Sequence, residues 1–71
     1  MIDLPAGLLQ FAHLQVKKRV PIGSFTSEKG LLRDLERIGV SEAMARKALV
    51  VMHQRNEIDY RRERRTIVRK Q

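Results

Sequence analysis

The chain has 71 residues, with fifteen Lys or Arg against eight Asp or Glu, a net charge of +7 and no cysteine. That length holds one small domain, and without cysteine neither disulfides nor Cys-ligated zinc can staple its core. No apolar run approaches the roughly 18 residues of a membrane span, and the stretch from Met1 to Leu14 lacks the basic leader of a signal peptide, so a reducing intracellular compartment is expected.

Pro5 suits the first turn of a helix, where its missing N–H would have had no acceptor, with Asp3 or Leu4 near the cap. Leu8, Phe11, Ala12 and Leu14 then recur at roughly helical spacing, and Lys17, Lys18 and Arg19 complement the carbonyls of a last turn. Val20-Pro21 stops the pattern, because the residue before proline avoids helical geometry. The first helix is therefore predicted from about Pro5 to Lys18. Ile22 to Thr26 reads as a brief strand leading into a second helix capped by Thr26 or Ser27. Leu31, Leu32, Leu35 and Ile38 form the apolar stripe of that helix, Arg33, Asp34, Glu36 and Arg37 its wet side, and Gly39 its left-handed end.

Ser41 caps a third helix after a connection of only Gly39 and Val40, which fits a helix-turn-helix corner. Ala45, Ala48, Leu49 and Met52 share one face, and the alanines allow close approach to neighbours. Arg46, Lys47, Val50, His53 and Gln54 lie on other faces. From Glu57 the period changes: Ile58 and Tyr60 alternate with Asp59 and Arg61, and Ile67 and Val68 follow a charged interruption. This predicts a β-hairpin with a basic tip, although no Gly or Asn marks its turn. A continuous basic helix from Ser41 onward is the competing reading, and the β-branched and aromatic residues disfavour it.

The last eleven residues hold six cations and one acid, and so +5 of the net charge of +7. A basic run attracts a polyanion by displacing its counterions, or it is a solubilising tail. Catalysis has little support. No Gly-rich phosphate loop is present. Asp34 and Glu36 sit beside cations on an amphipathic helix, which describes a solvated ion-pair face, and Ser24, Ser27 and Ser41 have turn or capping roles with no His and acid to activate them. His13 and His53 are far apart and make no metal pair.

Helix, short strand, helix, tight turn, helix and hairpin is the order of a winged helix, an α+β fold with a three-helix helix-turn-helix core and a C-terminal β-hairpin wing. In this fold the basic segment becomes a wing. The third helix offers Arg46, Lys47 and Gln54 around an apolar Val50, a thin set for reading bases. The residues expected to meet nucleic acid or an acidic partner are Arg46, Lys47, Arg61, Arg62, Arg64, Arg65, Arg69 and Lys70. Leu31, Leu35, Ala48, Leu49, Met52, Ile58 and Tyr60 are expected to be structural.

From Lys18 to Lys70 the chain resembles the C-terminal winged-helix domain of a eukaryotic minichromosome maintenance (MCM) replicative helicase subunit, most of all subunit five. The resemblance runs through Arg19-Val20-Pro21-Ile22-Gly23-Ser24 into Ser27-Glu28, then the spacing of Leu31, Leu32 and Asp34. It continues through Lys47, Leu49, Met52, Arg55, Glu57 and Ile58 to Arg61, Arg64, Arg65 and Val68-Arg69. It covers about fifty residues nearly without gaps.

The resemblance implies that residues 1–71 are one domain at the end of a larger AAA+ subunit in the nucleus. ATP and Mg would then belong to the ATPase module elsewhere, with no cofactor and no catalysis here. It implies a regulatory and docking role in DNA replication, with other MCM subunits and origin-loading factors, the origin recognition complex among them, as partners, together with nonspecific DNA contact. No membrane contact is expected, and the isolated domain is expected to be a monomer. Two rivals stand beside this reading: a stand-alone DNA-binding winged-helix regulator, and a small basic RNA-binding or ribosomal protein whose Arg-rich segment is ordered only by RNA.

Overall fold

In a computed structural model that describes residues 6–71, three helices and three short strands alternate as α1 (Ala6–Arg19), β1 (Phe25–Ser27), α2 (Glu28–Arg37), α3 (Glu42–Gln54), β2 (Ile58–Arg61) and β3 (Thr66–Arg69). The strands form one antiparallel sheet in the order β1-β3-β2, with Thr26 opposite Ile67 and Tyr60 opposite Ile67 on the other side. This is a winged helix, α+β in class. The expected cap at Asp3 or Leu4 and the proline at position 5 lie outside the described residues.

Local chemistry sets the ends of α2 and α3. Ser27 closes β1 in an extended conformation and caps α2, its Oγ accepting from the Gly30 N–H at 3.1 Å. Ser41 does the same for α3, accepting from Met44 N–H at 3.2 Å. At the far end of α2, Gly39 takes φ +92°, its N–H bonds Glu36 O, and Val40 N–H reaches back to Leu35 O. That pair of bonds is a Schellman motif, and its usual apolar contact is present in Val40 and Leu35, both buried. α3 ends in the same way with Asn56 at φ 64°, Asn56 N–H on His53 O and Glu57 N–H on Met52 O.

The strand expected from Ile22 starts later, at Phe25, because Pro21 to Ser24 forms a turn. Gly23 adopts φ +85° there and Ser24 N–H donates to Pro21 O at 2.9 Å, as a type II turn requires of its third residue. The hairpin turn spans Arg62 to Arg65 without glycine. Arg65 itself takes the left-handed conformation, φ 51°, its N–H donates to Arg62 O, and Thr66 Oγ1 ties to Arg64 O. The alternative of a continuous basic helix after Ser41 is excluded, since the chain turns at Asn56 and pairs as strands.

Leu31, Leu35, Ala48, Leu49, Met52, Ile58 and Tyr60 are all buried. Ala45 and Ala48 are fully buried, so α3 lies close against α1 and α2. Helix α1 differs from expectation. Of the four apolar positions picked out by spacing, only Ala12 enters the core, which α1 reaches through Ala12 and Val16 with Leu9 beside them, and Val20 joins it just past the helix end. Leu8, Phe11 and Leu14 face solvent. Ile38, at the C-cap of α2, is also partly exposed rather than part of the buried stripe.

Candidate docking and nucleic-acid interface

The wing is fastened to the helices through one acid. Glu28 is buried at the first turn of α2, its N–H donates to Arg65 O at the wing tip at 2.8 Å, and its Oε2 accepts from both the Tyr60 hydroxyl and Arg46 Nη1. One residue thus joins α2, α3, β2 and the hairpin turn. Burial, and after it the hydrogen bond to Glu28, push the Tyr60 phenol above its usual range. Arg62 lies over the same ring, its guanidinium carbon 5.5 Å from the centroid.

This network takes Arg46 out of the set of free cations. Its Nε pairs with Glu42 at 3.0 Å and its Nη1 with Glu28 at 3.1 Å, and the Glu42 hydrogen bond leads in raising its pKa. The outer face of α3 is left with Lys47 and Gln54 around a half-buried Val50. His53 Nδ1 is engaged at the joint to β2, 3.3 Å from both Tyr60 N and Ile58 O. Few groups on α3 are therefore free to meet base edges.

The expected contact residues divide by what they touch. Lys47, Arg62, Arg64 and Arg65 are exposed and form no ion pair among the described residues, and the Arg62 guanidinium lies over Tyr60. Arg61 Nε pairs with Asp59 at 2.7 Å, and that bond holds the Asp59 carboxyl below its ordinary value. Lys70 is exposed and donates to Asn56 Oδ1 at 2.9 Å.

Arg69 corrects the expectation that it faces a partner. It is 9% exposed, and its Nη1 donates to Lys17 O and Val20 O at 3.3 and 3.0 Å, while its Nε reaches Gln71 O. The side chain points inward because the end of α1 leaves carbonyls without intrahelical partners, and a guanidinium satisfies them there.

Lys29 and Arg33 were not among the expected residues. They line an open groove with Arg46, Arg62 and Arg65 on one side of the charge balance and Glu28, Glu36 and Glu42 on the other. Their signal in the sequence is a spacing of four on the wet side of α2, which places both on one helix face. That α2 would lie beside the wing is a tertiary fact. Among the described residues no group of three or more His, Cys, Asp or Glu is placed to hold a metal ion, and no helix is long and apolar enough to cross a membrane.

A family model described as MCM5, C-terminal domain, matches residues 13–69. The chain belongs to the MCM5 C-terminal domain family. The matched residues run from the middle of α1 to the end of β3, so the MCM5 family pattern covers the helix-turn-helix, the wing and the buried Arg69. A DNA replication licensing factor MCM5 from Arabidopsis thaliana is 49% identical over 65 residues, and one from Oryza sativa subsp. indica 48% identical over 65 residues. Each alignment takes in 92% of this chain and 9% of the relative, so the chain spans about a tenth of the length of these MCM5 proteins. No solved structure gives a significant match.

Proposed function

We propose that the chain is the regulatory and docking winged helix of an MCM5-type subunit of the replicative helicase, acting in DNA replication in the nucleus. The domain is non-catalytic, and ATP and Mg serve an AAA+ module carried elsewhere in a longer subunit. Its partners are other MCM subunits and origin-loading factors such as the origin recognition complex, with DNA as an auxiliary, nonspecific contact. Family membership supports the replication role, because both relatives are named as DNA replication licensing factors.

The observation that carries the DNA part is the contrast between wing and helix. Arg62, Arg64 and Arg65 stand on a hairpin locked to the core by Glu28, whereas α3 spends Arg46 on internal acids. A fixed cluster of cations favours phosphates of any sequence, and a helix with few free polar groups discriminates bases poorly. The same contrast weighs against a stand-alone regulator reading a defined site. An Arg-rich segment ordered by packing on three helices also weighs against one ordered only by RNA.

Fluorescence anisotropy with two unrelated duplexes tests this reading. Affinity should agree within about threefold between them. Replacing Arg61, Arg62, Arg64 and Arg65 together by Ala should flatten the salt dependence by up to about 0.9 for each phosphate no longer neutralised, with helical circular dichroism retained. Unchanged affinity in that variant would remove DNA from the wing, and a preference above about a hundredfold for one duplex would restore the sequence-reading rival.

A further inference from the structure

Helix α1 has two apolar faces and only one of them is covered. Ala12, Val16 and Val20 are fully buried against the core, yet Leu8, Phe11 and Leu14 on the outer side are 44%, 39% and 57% exposed. Isolated apolar residues on a surface are ordinary, but three large ones spaced by three along a single helix make a ridge.

The charge beside the ridge is one-sided. Between Ala6 and Arg19 the helix has no acidic residue and finishes in Lys17, Lys18 and Arg19. Lys17 is paired with Glu57 at 3.2 Å, and Arg19 donates to Gln15 Oε1 at 2.6 Å. Lys18, four residues after Leu14 and so on the same face, is exposed and forms no ion pair among the described residues. We infer that the outer face of α1, with Leu8, Phe11 and Leu14 as ridge and Lys18 at its end, docks an acidic amphipathic helix of a partner protein.

The occupant is a helix for a physical reason. The face of α1 presents side chains only, its backbone groups being spent within the helix, so a segment lying on it must satisfy its own backbone hydrogen bonds. From Leu8 to Lys18 the ridge runs about 15 Å, the length of roughly three helical turns. Acidic residues at the edges of the occupant meet Lys18 and encounter no like charge on α1. A second copy of this chain is a poorer fit, since it brings three more cations and no acid on the same helix.

The probe is a pair of labelled synthetic peptides of about 18 residues, both with Leu at helical spacing, one with Glu and one with Lys at every other position. At about 0.15 M salt the Glu peptide should bind the chain at least about tenfold more tightly than its Lys twin. Phe11→Ser combined with Leu14→Ser should weaken it at least about tenfold, and Lys18→Glu should narrow or reverse the preference between the peptides. The Arg62→Ala, Arg64→Ala and Arg65→Ala triple variant should retain binding within about threefold, which separates the ridge from general attraction to the wing.

Leu14→Ser alone, at the most exposed position of the ridge, gives a second variant should the double change disturb folding, and thermal unfolding checks each protein. Binding of neither peptide would overturn the inference, as would loss of binding in the wing variant with retention in the Phe11 and Leu14 variant. Sedimentation showing a concentration-dependent dimer that Phe11→Ser abolishes would overturn it in favour of a second copy.

Discussion

The Tyr60 hydroxyl donates to the Oε2 of Glu28, a buried contact between residues thirty-two positions apart that ties the wing strand to the first turn of α2. Because the Glu28 N–H also holds Arg65 O, and its carboxylate holds Arg46, the pair decides how rigidly the basic hairpin is presented.

Tyr60→Phe should lower stability by about 1.5–3 kcal/mol, the range for a hydrogen bond to a charged group, measured by urea unfolding. The phenol is pushed above its ordinary value of 10.0, so the unfolded chain releases this proton first. Its contribution is complete below about pH 10 and is lost as pH rises from there through the folded value. The chain has a single tyrosine, so ultraviolet titration of the native protein should report this one group titrating late. An ordinary titration would mean that the hydroxyl is not held by Glu28.

Arg69→Ala should destabilise the fold by about 1.5–3 kcal/mol, because the carbonyls at the end of α1 lose a charged donor in a buried position. The same variant should bind duplex DNA with nearly the wild-type salt slope, whereas Arg64→Ala and Arg65→Ala should each reduce it. A loss of DNA affinity without loss of stability would place Arg69 back on the surface.

Leu35→Ala and Leu49→Ala should each cost about 2–5 kcal/mol in chemical denaturation, since both side chains are fully buried among helices. Leu14→Ala, on the open face of α1, should cost well under about 1 kcal/mol by the same measurement.

His13 should make the domain sensitive to mild acid. Its Nε2 is buried without a hydrogen-bond partner among the described residues, and its pKa is lowered by burial first and then by Arg55, with Lys17 adding and Glu57 opposing. The unfolded chain therefore takes up this proton first as pH falls through 6.5, and the stability held above that pH declines until the folded value is passed. Melting temperatures between about pH 7.5 and 5.5 should fall more for wild type than for His13→Gln. Equal slopes in the two proteins would show that His13 carries no such penalty.

The order of elements could be read from contiguous residues because caps, turns and periodicity are local. Ser27, Gly39 and Ser41 each act on backbone within a few positions, and the alternation of Ile58 and Tyr60 marks a strand whatever lies across from it. The end of α3 was marked in the sequence only by the change of period at Glu57, and the left-handed Asn56 that closes it was not foreseen. The turn at Gly23 that delays β1 was missed, since Ile22 to Thr26 was expected to be extended throughout.

Three things depended on the packed molecule. α1 is apolar on both sides, so spacing identified a helix without saying that Val16 and Val20 would enter the core and Phe11 would stay outside. Arg69 and Arg64 are the same residue type in one basic run, but only Arg69 lies against the open end of a helix that finishes about fifty residues earlier. Arg46, expected to be a free cation on a reading helix, pairs with Glu42 one turn earlier on α3, and only the fold adds Glu28 at 3.1 Å. Composition and pattern determined a basic winged helix. Near neighbours engage some cations, as Asp59 does Arg61, but the burial of Arg69 and the choice of which apolar face remains open were decided by long-range contacts, because surface is buried by neighbours in space.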